Sequence, residues 1–223
     1  MDGIIQIAGV VDEREAMMLV EAGIVQIGFP IGVPVHKEDI GAEHAARIIR
    51  LLKSPAVAVL ITYLDRAEEI IDLRKITGAQ KVQLHGRISI SEVVNLKKLA
   101  PDLPVIKSLI VGADNPEEIE STLLEFSSHV DAFMTDTYDP VTGACGATGK
   151  THDWDVSRRL VSISPRPVIL AGGLTPENVG RAIRRVRPAG VDAHTGVEEP
   201  DGRKDERLVR AFVREAREAF ASL

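Results

Sequence analysis

The 223 residues include 27 basic and 33 acidic side chains, giving a formal net charge of −6, and 44% are hydrophobic. This balance excludes global disorder, and the acidic charge argues against a protein that coats nucleic acid. No apolar stretch of the sequence reaches the length of a membrane-spanning helix, and the first residues lack the basic start of a signal peptide. We therefore expect a cytoplasmic protein that binds neither nucleic acid nor membranes.

Eight short apolar runs recur about every 27 residues, which is the usual size of one strand–helix unit. The third run, AVAVLI (56–61), shows no polar alternation, which is typical of strands covered on both faces. The runs begin at residues 4, 24, 56, 81, 105, 132, 168 and 191.

Helix signals lie between these runs. Asp12 with Glu15 forms a variant capping box, and the helix it starts should end at Gly23. Asn115-Pro116 and Thr175-Pro176 are typical starts of two further helices. Helical spacing of apolar residues also appears in 42–52, 67–76 and 204–220. The eight units predict one (β/α)8 barrel domain over residues 1–223, with a doubly wound open sheet as the alternative.

Two glycine-containing segments follow the last two runs. AGGLTPEN (171–178) leads from a strand into a helix start, and DAHTGV (192–197) occupies the same place one strand later. In a barrel, loops after strands seven and eight commonly hold a phosphate through backbone N–H groups. We expect such contacts from Gly172, Gly173, Thr195 and Gly196, with tight turns as the alternative explanation of the glycines.

Candidate catalytic side chains also follow strand ends. Asp136 ends the sixth predicted strand, and a carboxyl group at a barrel mouth is suited to proton transfer, the alternative being a cap or a salt-bridge partner. His85 and His194 end the fourth and eighth runs and are candidate ligand contacts, the alternative being structural histidines. His36 is interpreted as a surface histidine. The six histidines form no close i, i+4 pair, so no metal site is predicted.

The glycine-rich stretch 136–154 shows no helical period, and we interpret it as a functional loop after strand six. Within it, GACGATGKT (143–151) is similar to a nucleotide-binding phosphate loop. That motif requires glycine where this chain has Ala144, so we reject it.

Together these segments resemble the phosphoribosylanthranilate isomerase family of tryptophan biosynthesis. The matching stretches are VQLHG (82–86), FMTDT (133–137), GATGKTHDW (146–154), ILAGGLTPENV (169–179) and VDAHTGVEEPDGRKD (191–205). The resemblance implies a phosphosugar-binding barrel that performs an Amadori rearrangement without metal or organic cofactor. It implies that Asp136 is the general acid, and that the protein is a monomer or a homodimer.

Two positions depart from the family pattern. The first strand of the family typically ends Lys-Ile-Cys-Gly, and the cysteine is the catalytic base, whereas this chain has Gln6-Ile7-Ala8-Gly9. The loop 30–40 also contains no arginine, which the family uses to bind the anthranilate carboxylate. Cys145, the only cysteine, and Asp12 are candidate replacement bases.

Three hypotheses follow from this departure. The chain is an isomerase of the family with a relocated base, a divergent barrel enzyme that performs another isomerase or lyase reaction on a phosphosugar, or a non-catalytic phosphosugar-binding or regulatory protein. All three keep a small phosphorylated sugar as the ligand.

Overall fold

A computed structural model describes residues 3–32, 40–113, 115–138, 140–141, 143, 146 and 148–223. In these ranges eight parallel strands form a closed barrel in chain order, so the predicted barrel is confirmed and the open-sheet alternative is wrong. The strands β1–β8 are Ile4–Ala8, Gln26–Ile31, Val57–Thr62, Lys81–Leu84, Val105–Val111, Ala132–Thr137, Val168–Leu170 and Gly190–Ala193. None of the helices in the described part of the chain is both long and apolar enough to span a membrane.

One helix follows each strand. The helices α1–α8 are Glu13–Glu21, Ala42–Ile49, Ala67–Thr77, Ile90–Leu99, Pro116–Phe126, Trp154–Ile163, Val179–Val186 and Glu206–Ala221, and a 3₁₀ turn, η1, covers Thr195–Val197. The predicted helix starts at Asp12 and Asn115 are correct, because each side chain accepts a hydrogen bond from the backbone of the first turn. The start at Thr175 is wrong, since α7 begins only at Val179.

The barrel closes because β1 pairs with β8, with Gln6 opposite Asp192 and Ile7 opposite Ala193. A large apolar core lies between strands and helices and includes the fully buried Phe29 and Phe133. A smaller core of seven residues forms a separate cluster: Ala8, Val59, Ile61, Ile106, Met134, Ile169 and Ala171. Each fully buried large apolar side chain contributes about 1.5–3 kcal/mol to stability. This packing makes the strand ends a rigid platform for functional side chains.

Candidate active site

Asp136 lies near the carboxyl end of β6 and is only 8% exposed. Its Oδ1 accepts a hydrogen bond of 2.8 Å from the backbone N–H of Thr137. Burial raises the pKa of Asp136, and the influence of His85, of that hydrogen bond and of His194 cancels only part of the rise. A carboxyl group in this environment keeps its proton to a higher pH than an exposed one, which suits a general acid.

His85 lies close to Asp136, at the end of β4. A Cβ added to Gly146 would come within 2.5 Å of Asp136 Oδ2 and 2.9 Å of His85 Nε2, so both atoms border the same point. The ring stands edge-on to Tyr63, with 4.9 Å between ring centres. Its Nδ1 is 3.0 Å from Ser108 Oγ. The predicted site residues His85 and Asp136 are therefore brought together, with the backbone of Gly146 beside them.

A chain of buried polar side chains connects His85 to the opposite side of the barrel. Ser108 Oγ accepts a hydrogen bond of 3.2 Å from Gln83 Nε2, and Gln83 Oε1 accepts one of 3.1 Å from Gln6 Nε2. Gln6 also hydrogen-bonds to Asp192, its neighbour in the β1–β8 register. Such a network fixes side-chain orientation in a low-dielectric interior.

Asp192 is the second buried carboxyl group of the site. Burial and the nearby Asp136 raise its pKa to about 7, against the smaller opposing effects of Gln6 and Lys204. Its Oδ1 is buried and has no hydrogen-bond partner among the described residues. A buried acceptor without a partner is costly unless a ligand supplies the donor. The sequence analysis missed Asp192, although a single aspartate within the apolar run VDA was a signal for it.

The predicted phosphate loops lie side by side at the ends of β7 and β8. Gly172 and Gly173 have φ of 96° and 59°, which disfavours other residues. A Cβ on Gly173 would overlap the carbonyl carbon of Lys150, and one on Gly196 would overlap the carbonyl oxygen of Leu174. Gly173 and Gly196 thus allow neighbouring loops to pack closely. The sequence analysis had explained them by anion binding or tight turns and had not predicted this packing. Thr195 and Gly196 form the start of η1.

His152, which the sequence analysis did not select, ties the loop after β6 to α6. Its Nδ1 is 2.8 Å from Thr137 Oγ1 and its Nε2 is 2.6 Å from Ser157 Oγ. Burial lowers its pKa to about 4, so the ring is neutral at physiological pH. It is a structural histidine adjacent to the site.

His194 lies at the end of β8, with Nε2 3.3 Å from Glu198 Oε1. Glu198 also forms an ion pair with Lys204, whose side chain is fully buried. His194 follows β8 and Asp136 lies near the carboxyl end of β6, so both stand at the same end of the barrel, and the electrostatic influence of His194 acts to lower the pKa of Asp136.

Of the two candidate replacement bases, only Asp12 can be described. Its Oδ1 accepts the backbone N–H of Glu15, and its Oδ2 forms an ion pair with Arg203. Burial alone would raise the pKa of Asp12, but these contacts lower it overall, so the group is a weak base. The cap and the ion pair with Arg203 make Asp12 poorly suited to act as a base. Cys145 and His36 lie outside the described residues.

A cavity of about 670 Å³ opens beside His85, and its lining combines polar side chains such as Arg87 and Lys107 with apolar ones such as Leu109 and Phe126. Within the ranges that the structure covers, no three histidine, cysteine, aspartate or glutamate side chains are grouped so as to hold a metal ion.

Comparison with known proteins identifies the family. Residues 6–215 match the family model of N-(5'-phosphoribosyl)anthranilate (PRA) isomerase. The N-(5'-phosphoribosyl)anthranilate isomerase 2 of Methanosarcina mazei is 41% identical over 97% of this chain and 95% of that protein.

Solved structures agree with this match. The phosphoribosylanthranilate isomerase of Thermotoga maritima has a TM-score of 0.80 and 31% identity, covering 95% of this chain and 97% of that one. Another phosphoribosylanthranilate isomerase, solved with reduced 1-(o-carboxyphenylamino)-1-deoxyribulose 5-phosphate, has a TM-score of 0.78 and 29% identity, covering 95% of this chain and 97% of that one. The chain therefore belongs to the N-(5'-phosphoribosyl)anthranilate isomerase family and is a TIM-barrel isomerase of the tryptophan-biosynthesis type.

Proposed function

We propose that this chain converts N-(5'-phosphoribosyl)anthranilate into the corresponding 1-amino-1-deoxyribulose phosphate, with Asp136 as the general acid. The observation that carries the proposal is the buried Asp136 beside His85 at the mouth of a barrel of this family. The bound compound of one solved relative, a reduced deoxyribulose phosphate with a carboxyphenylamino group, is a close analogue of this product.

Asp136 starts the reaction. It donates its proton to the furanose ring oxygen, the C1–O bond breaks with its electrons going to oxygen, and the nitrogen lone pair forms a C1=N bond. The raised pKa of the buried Asp136 favours this donation, because its carboxyl group holds a proton to a higher pH than an exposed aspartate. A base must then remove the proton from C2 of the open chain.

The backbone N–H groups of Gly172, Gly173, Thr195 and Gly196 would hold the phosphate. Support comes from the adjacent loops after β7 and β8 and from the 3₁₀ turn that starts at Thr195, since N–H groups at such termini attract anions. His85 would contact the sugar from β4, and the unpartnered Oδ1 of Asp192 would accept a hydrogen bond from a sugar hydroxyl.

The test is the turnover of freshly generated N-(5'-phosphoribosyl)anthranilate, followed by the loss of its fluorescence. The Asp136→Asn variant should lower kcat by about 10²–10⁴-fold while KM changes little, because the amide keeps the shape but cannot donate the proton. Asp72→Asn, which breaks an exposed ion pair with Lys75, is the matched control and should leave kcat unchanged. Equal rates for wild type and Asp136→Asn would refute the assignment of the acid.

Two departures from the family sequence pattern favour a second candidate. Ala8 stands where the family has its base, and the loop 30–40 has no arginine for the anthranilate carboxylate. A divergent isomerase with the same phosphate site and acid would fit both changes. Absence of turnover with N-(5'-phosphoribosyl)anthranilate, combined with Asp136-dependent turnover of another phosphosugar, would select this candidate.

A further inference from the structure

The position of His194 is set by the pairing of β8 with β1. Ala193 lies opposite Ile7, so the next residue, His194, stands beside Ala8. A Cβ on Gly9 would overlap Nε2 of His194. The imidazole therefore lies directly against the backbone of Gly9, the residue that follows Ala8.

A charged pair behind the ring holds this imidazole in place. Glu198 Oε1 lies 3.3 Å from His194 Nε2 and also pairs with Lys204, whose side chain is 0% exposed. Lys204 Nζ further donates a hydrogen bond of 3.4 Å to the carbonyl oxygen of His194. An anionic carboxylate that accepts the Nε2 proton leaves the basic lone pair of the imidazole on Nδ1. The contact of Glu198 with Nε2 thus favours the tautomer whose lone pair is on Nδ1, and Lys204 holds both Glu198 and the backbone of His194.

The ring is also placed for reaction. Its side chain is 21% exposed, so a ligand in the mouth can reach it. His194 directly follows β8 and Asp136 lies near the carboxyl end of β6, so both stand at the mouth of the barrel, where the carboxyl ends of its parallel strands meet. An acid and a base on two sides of one mouth can act on two atoms of the same sugar.

We propose that His194 is the catalytic base of the isomerisation, held by Glu198 and acting beside Ala8; this inference rests on the proposed function. After ring opening, Nδ1 takes the proton from C2, the C–H electrons form the C1=C2 bond, and the C1=N π electrons return to nitrogen. The enolamine becomes the ketone when a proton leaves the C2 hydroxyl and a proton adds to C1.

Two carboxylate side chains, those of Asp12 and Asp192, are less suited than His194 to the role of catalytic base. Asp12 caps α1 and pairs with Arg203. Asp192 lies within β8, two residues before His194 and one step deeper in the barrel, where it is tied to Gln6. His194 alone of these three stands beside Ala8.

The experiment compares wild type, His194→Gln and His194→Ala using substrate carrying hydrogen or deuterium at C2. Both variants should lose about 10²–10⁴-fold in kcat with little change in KM, and the primary isotope effect at C2 should rise because proton abstraction becomes rate-limiting. Added imidazole should restore part of the kcat of His194→Ala, which a merely structural role would not allow. The control is His129→Gln, in the turn before β6 at the opposite end of the barrel, and its kcat should be unchanged.

The outcomes separate this inference from the function on which it rests. Wild type without turnover overturns both. Wild-type turnover with His194→Gln within threefold of it overturns the assignment of His194 and leaves the proposed function standing. If His194→Gln fails to fold by circular dichroism, Glu198→Gln decides: at least a tenfold fall in kcat at constant KM supports the inference, and unchanged kcat overturns it.

Discussion

At the scale of single residues, Gly173 shows how closely the loops of the mouth approach each other. Its φ is 59°, and a side chain there would overlap Lys150 in the loop after β6. Gly202 is a matched control, because its φ of 87° is similarly unfavourable but nothing lies within 4 Å of its Cβ position. The Gly202→Ala variant therefore measures the cost of the unfavourable backbone conformation without any steric overlap.

Gly202→Ala should lower the free energy of unfolding by about 1–2 kcal/mol. Gly173→Ala should lower it by about 1–3 kcal/mol more, because the loop containing Lys150 must move away, and it should raise KM for the phosphorylated substrate. Urea unfolding and steady-state kinetics measure the two effects. Equal unfolding free energies for both variants would show that the loop adapts without cost.

From the sequence alone, site residues could be predicted where they directly follow a predicted strand. Asp136 and His85 come directly after apolar runs, and the carboxyl ends of parallel strands meet at one mouth. Gln83, Ser108 and Glu198 could not be found in this way, since their roles depend on partners many residues away. Asp192 was interpreted only as part of a strand, because which strand positions point inward depends on the register between strands.

At the scale of elements, His152 joins β6 to α6 through Thr137 and Ser157. His152→Ala would leave both hydroxyl groups without this partner, and it should lower the free energy of unfolding by about 2 kcal/mol or more, as expected when buried hydrogen bonds are lost. His44→Ala, at an exposed contact with Glu13 on α1, should change it by less than about 0.5 kcal/mol. If urea unfolding gave the same loss of unfolding free energy for both variants, the hydrogen bonds of His152 would not stabilise the contact between β6 and α6.

Element boundaries differ from the predictions where side chains compete with the helix. Asn178 Oδ1 accepts the backbone N–H of Thr175, and Asn178 Nδ2 donates to the carbonyl oxygen of Gly173. This local hydrogen bonding favours a turn over a helical start, so α7 begins one residue after Asn178. The Thr-Pro pattern indicated a helix start but could not show this competing turn.

At the scale of the whole molecule, two buried groups give stability opposite dependences on pH. The pKa of Asp192 is raised to about 7, so the folded protein keeps a proton that the unfolded chain releases near pH 4, and stability falls as the pH rises between these values. Burial also raises the pKa of Asp136, which acts in the same direction. The pKa of His152 is lowered to about 4, so its contribution is complete above the unfolded value of about 6.5 and is lost as the pH falls toward 4.

These effects partly offset each other in the wild type between about pH 4 and 6.5, and single substitutions should separate them. Relative to wild type, Asp192→Asn should make stability fall more steeply as the pH is lowered. The reason is that Asp192 no longer offsets the loss of stability caused by protonation of His152 in the unfolded chain. His152→Gln should make stability fall more steeply as the pH is raised, because the buried carboxyl groups are less opposed. Each slope changes by at most about 1.4 kcal/mol per pH unit, the limit for one proton. Urea unfolding across this range measures the slopes, and changes of the same sign in both variants would contradict the opposing roles of the two groups.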